Sequence, residues 1–88
     1  MGNEFTTETR SYVQDGYADA EGATDIEFYN AGATVVTVNS RAIQPNAAWQ
    51  INGFPFEKNT GRYRFTFVGG TGLLLVTRRT YKAKKRGL

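Results

Sequence analysis

Neither cysteine nor histidine occurs anywhere in this sequence. Without cysteine there is no disulfide and no thiolate chemistry, so a disulfide-stapled secreted scaffold is excluded. The missing histidine takes away the commonest general acid–base and the commonest metal ligand. No apolar run approaches the roughly 18 residues that a membrane-spanning helix needs, the longest patch being Leu73–Val76. The opening MGNEFTTETR lacks the apolar stretch of a secretory signal. These absences lead to the expectation of a soluble protein with no membrane partner and no cofactor.

The nucleophiles are equally sparse. Ser11 and Ser40 are the two serines, and neither sits in a G-x-S-x-G elbow. Beyond residue 30 the single carboxylate is Glu57, so paired acids for acid–base work are missing from that region. The inventory argues for a non-enzymatic role. A calcium reading of the acidic stretch around Asp19, Glu21 and Asp25 fails on spacing. Counted from Asp19, Gly22 falls fourth and Asn30 twelfth, where an EF-hand loop requires glycine sixth and glutamate twelfth. The glycines of GGTG at 69–72 precede a leucine-rich strand and not a helix, so a hairpin turn is expected there in place of a phosphate loop.

What is present is strand chemistry. From Asp25 onward short β-type runs alternate with turn signals, the pattern of an all-β sandwich or barrel. DIEFYN alternates Ile26 and Phe28 with polar neighbours; TVVTVN is β-branched; Trp49 and Ile51 share a face. RYRFTFV sets Tyr63, Phe65 and Phe67 on one side and Arg62, Arg64 and Thr66 on the other. Hairpin turns are expected at Asn52–Gly53 and in GGTG, with a further turn at Pro45–Asn46. The leucine-rich final strand is expected to begin between two layers and to end protruding from them. The fold class that follows is all-β: a small antiparallel β-sandwich or partly open barrel of about six strands with an extended N-terminal arm and a basic C-terminal tail.

Charge is segregated along the chain although its sum is only +3. Residues 1–30 carry seven carboxylates against Arg10, a balance of −6, while residues 31–88 carry ten basic groups against Glu57, a balance of +9. Residues 1–25 read as an acidic arm with aromatic anchors Phe5, Tyr12 and Tyr17, residues 26–82 as the β domain, and residues 83–88 as a basic tail. Arm removal through residue 22 is expected to leave the β fold intact. The closing RRTYKAKKRGL places Arg78, Arg79, Lys82, Lys84, Lys85 and Arg86 within eleven positions. Three uses are open: the acidic arm of one copy against the basic end of another, a nucleic-acid surface formed by the basic C-terminal strand and tail, or a solvated end. Phe54 and Phe56, flanking Pro55, are candidate interface anchors. With Trp49 they form a candidate sugar platform.

The succession IEFYNAGATVVTVNSRAIQPNAAWQINGFPF followed by YRFTFVGGTGLLLVTRRTYK, Ile26 to Lys82, resembles the small all-β virion proteins of tailed bacteriophages. The resemblance implies a capsid decoration, auxiliary or head–tail adaptor subunit, made in the host cytoplasm and located in the virion. Its implied partners are other virion proteins, such as the major capsid protein, and copies of itself, bound through terminal arms. It supplies no catalytic residue, and the basic C-terminus departs from its pattern.

Overall fold

The computed structural model describes residues 3–53 and 59–83. Its strands are β1 (Asn3–Gln14), β2 (Gly16–Asp19), β3 (Asp25–Asn30), β4 (Val36–Val38), β5 (Arg41–Ile43), β6 (Ala48–Ile51), β7 (Arg62–Phe67) and β8 (Thr71–Ala83). They form two four-stranded antiparallel sheets, ordered β1-β8-β3-β6 and β2-β7-β4-β5. The architecture is a sandwich and not a closed barrel, with eight strands among the described residues in place of about six.

Period-2 alternation builds the core, because successive side chains of a strand point to opposite faces. Ile26 and Phe28 of β3, Leu74 and Val76 of β8, Val36 and Val38 of β4, and Phe65 and Phe67 of β7 are buried between the sheets. Aromatic rings bridge the layers: Tyr12 lies 4.9 Å from Phe65, and Phe28 lies 5.1 Å from Tyr63, between ring centroids. Such tilted pairs add about 1 kcal/mol each beyond area burial. The half-buried Trp49 of β6 is covered by the Arg41 guanidinium of β5, 4.9 Å above its ring, which closes one side of the sandwich.

The turns are where the expected and observed chains part. Neither Asn52–Gly53 nor GGTG closes a hairpin: β6 and β8 lie in the first sheet, and β7 lies in the second. The β7–β8 connection is a single 3-10 turn with Gly69 and Gly70 at positive φ, and it crosses between layers. A β-carbon at Gly72 would run into the Phe67 ring, so this crossing also needs a bare backbone. The single hairpin among the described residues joins β4 to β5 through Asn39 and Ser40, with φ of 47° and 73°. Positive φ at both central residues is the geometry whose twist suits two paired strands. Pro45–Asn46 does form its turn, with the Ala47 N–H donating to the Gln44 carbonyl at 3.0 Å. At the β3–β4 crossing the buried Asn30 amide donates to the Thr34 and Ile43 carbonyls and accepts from the Gly32 N–H. Both of its N–H donors and its oxygen are thus engaged, tying that loop to β5.

The N-terminal segment is extended, but it is not separate from the β domain. β1 is an outer strand of the first sheet and β2 of the second, so both lie within the sandwich. β8 runs from the core past the last residue paired with β3, Arg79, and continues beside β1 alone. The principal extents of 54 × 19 × 17 Å reflect this length.

Candidate functional site

The acidic and basic segments meet within one chain. β1 pairs with β8 in a register that sets Glu4 opposite Lys82 and Glu8 opposite Arg78. Antiparallel pairing thus brings the first strand alongside the last within one chain. Of the expected arm anchors, Tyr12 faces inward, its ring tilted against Phe65, and is partly buried against the core. Phe5 lies on β1 opposite Tyr81. Phe54, Phe56, Lys84, Lys85 and Arg86 lie outside the described residues.

Arg78, expected to face a partner, is 3% exposed. It belongs to the inward row of β8, so its guanidinium enters the end of the core. Nε donates to the Asp19 carbonyl at 2.6 Å, while Glu8 and Glu21 each hold a carboxylate oxygen at about 4 Å. Nη1 is buried without a hydrogen bond. The same two carboxylates bind Arg10 at 3.0 and 3.4 Å, and Glu8 by its hydrogen bond, then Glu21 by its charge, holds Arg10 above its ordinary pKa. Arg79 faces outward and meets Asp25 at 3.1 Å. A nucleic-acid surface on the C-terminal strand thus loses one arginine to the core and has a carboxylate against the next. Among the described residues no group of three or more acidic side chains could hold a metal ion, and no helix is long and apolar enough to cross a membrane.

A second constellation forms on the outer face of the other sheet. Pairing of β2 with β7 sets Tyr17 directly opposite Arg64 and Asp19 opposite Arg62. Tyr17 is 55% exposed, with the Arg62 and Arg64 guanidinium carbons 5.3 and 5.8 Å from its ring centroid. Arg62 is committed to Asp19 through bonds of 2.8 and 3.4 Å. Arg64 meets no carboxylate among the described residues, and it borders an open depression of about 340 Å³ lined by Thr37, Asn39, Ser40 and Thr66. The arginine alternation in RYRFTF was visible in sequence, but the tyrosine came from a distant segment whose pairing no local pattern signals.

The hydrogen bond from Arg62, and then its charge, holds the Asp19 carboxyl below the ordinary carboxylate range. A depressed folded-state pKa contributes stability above the unfolded value, and that contribution is lost as pH falls through the folded value. Arg62→Gln should therefore raise the Asp19 midpoint toward that of a free aspartate, read by an NMR titration of its carboxyl carbon. An unchanged midpoint would show that the pair does not persist in solution.

Fold and surface together define a small two-sheet antiparallel β-sandwich with a charged ribbon at one end and an arginine–tyrosine platform on one face. Compared with protein-family models, curated proteins and solved structures, the chain has no match.

Proposed function

We propose that the chain is a non-enzymatic structural subunit of a bacteriophage virion, joined to neighbouring virion proteins and to copies of itself by strand addition along β1. The observation that carries this reading is the outer edge of β1. It runs for 12 residues without a strand partner among the described residues. The other outer strands, β2, β5 and β6, have four, three and four residues. Short edges discourage sheet-to-sheet pairing, whereas a long one presents a row of backbone donors and acceptors to another chain. The register break at Val13 ends the regular stretch, so the usable edge is the part running outward along the ribbon. The resemblance of Ile26 to Lys82 to small virion proteins supports this reading by suggesting a setting in which subunits of this size repeat in many copies.

The test follows from strand geometry. Of two neighbouring residues such as Thr6 and Thr7, one directs its N–H away from β8, and proline there removes an edge donor while sparing the β1–β8 ladder. Of Thr6→Pro and Thr7→Pro, the variant that keeps the parent's melting midpoint should lose incorporation into purified particles. Normal incorporation of that variant would overturn the edge, and absence of the parent chain from particles would overturn the virion assignment.

A further inference from the structure

We propose that the outer face of the β2-β7-β4-β5 sheet is a binding site for single-stranded nucleic acid, with a base stacked on Tyr17 and the adjoining phosphate on Arg64. The site is separate from the β1 edge, which belongs to the other sheet.

Three features of the face converge on that ligand. The first is an aromatic residue left more than half exposed on a strand, where its apolar surface has no packing partner from the facing sheet. An exposed ring on an open β surface is the usual platform for an unstacked base, and it accepts any base because each has a π face. The second is the difference between its two arginines. Asp19 neutralises Arg62, which leaves Arg62 as a support for the ring, while Arg64 keeps its charge beside hydroxyl donors from Thr37, Ser40 and Thr66. A guanidinium together with hydroxyls is phosphate-binding chemistry.

The third feature is rigidity. The wall of the depression is the Asn39–Ser40 hairpin tip, and Asn39 is fixed to β7 on both sides of Arg64. Its side-chain oxygen accepts from the Arg64 N–H at 2.9 Å, and its own N–H donates to the Arg64 carbonyl at 2.9 Å. Tyr17 on β2, Arg64 on β7 and Asn39 at the tip of the β4–β5 hairpin thus form one row, at about 4.8 Å per step between paired strands. That row matches a nucleoside and its phosphate. A flat face with no element shaped to enter a groove suits a single strand and not a duplex. The carboxylates two residues to either side of Tyr17 are both engaged, Asp19 with Arg62 and Asp15 with the Phe67 N–H.

One base and one phosphate make a weak site, which gains by repetition where many copies are arrayed. The test nevertheless uses the isolated full chain, so it is independent of assembly. A short oligothymidylate is titrated into the isotope-labelled protein at low salt, and amide shifts are followed. Shifts should concentrate at residues 16–19, 37–40 and 62–66, and affinity should fall as salt rises. Tyr17→Ala and Arg64→Gln should each weaken binding roughly tenfold, the order reported for loss of one base stack, while Tyr17→Phe should retain it. Both side chains are on the surface, and an unchanged far-UV spectrum confirms the fold of each variant. Replacement of Lys84, Lys85 and Arg86 by alanine should leave the sheet shifts in place. Absence of shifts at low salt would overturn the site, as would shifts confined to the C-terminal residues. Equal binding of a sulfated polysaccharide, insensitive to Tyr17→Ala, would also overturn it by showing a general polyanion surface.

Discussion

Removal of residues 1–22 is expected to unfold this domain and not merely to detach an arm. The deletion takes away an outer strand from each sheet and so exposes the edges of β8 and β7 together. It also takes Tyr12 from the Phe65 ring, and Ala18 and Ala20, buried at 1% and 0% exposure, from the core. The Asp15 carboxylate that receives the Phe67 N–H is lost, as is the Asp19 carbonyl that receives Arg78. Each apolar group so removed forfeits burial at about 25 cal/mol per Å². The stability of a whole domain is only about 5–15 kcal/mol, and a chain of this size sits toward the lower end. Far-UV circular dichroism should show no cooperative melting for the truncated chain, and sedimentation should show aggregates formed through its two exposed edges. Deleting only residues 1–5, whose strand partners are Tyr81–Ala83 beyond the reach of β3, should leave the melting midpoint close to the parent's. A sharp transition at the parent's midpoint in the longer deletion would mean that β3–β8 is self-sufficient and that β1 and β2 are accessory.

Arg78→Ala should destabilise the protein by about 3 kcal/mol, the scale of a large-to-small change in a packed core combined with the breaking of a buried charge network. The side chain is 4% exposed, so its loss leaves a cavity between the sheets as well as an unbonded Asp19 carbonyl. Arg78→Met separates these contributions. Methionine keeps most of the packed stem and removes both the buried charge and the Nη1 that has no hydrogen bond. Because burying a guanidinium costs nearly as much as its partners return, Met should cost less than half of what Ala costs. The Glu8 carboxylate is about half exposed and 3.9 Å away, so its coupling to Arg78 in a double-mutant cycle should stay below about 1 kcal/mol. Urea denaturation of Arg78→Ala, Arg78→Met, Glu8→Ala and the Glu8→Ala/Arg78→Ala double variant measures all of this. Equal costs for Ala and Met would show that the charge and not the stem holds this end of the core together.

The faces of the strands were legible before the fold was known. In RYRFTF, DIEFYN and AWQI the inward residues are the ones that alternation names, because the direction of a side chain is set by the pleat of its own strand. The protruding end of β8 was also legible, since its apolar content on both faces gives way to charge after Val76. Turn chemistry was legible only as a change of direction. The GGTG glycines do turn the chain, but they send it to the facing sheet; Asn52–Gly53 closes no hairpin, and the one hairpin among the described residues uses Asn39–Ser40. A dipeptide specifies local dihedral angles, and which layer receives the next strand depends on what is already packed there.

The candidate site shows the same division. Segregated charge announced that acidic and basic segments would meet, but the sequence held no sign that they would meet within one chain, nor that Arg78 would be withdrawn into the core. Tyr17 stood in sequence between acidic residues, and its role beside Arg64 exists only because Gly16–Asp19 pairs antiparallel with Arg62–Phe65.

The sequence by itself determined that this protein is all β, that cysteine and histidine chemistry are absent, and which side of each main strand is apolar. All of these follow from residue type and from a two-residue repeat within a single strand. The tertiary structure alone decided which strands are neighbours, and with them the free edge of β1, the burial of Arg78 and the Tyr17–Arg64 platform. Neighbours in these sheets are mostly distant in the chain, so their choice rests on packing the whole core at once, and no short stretch carries that information.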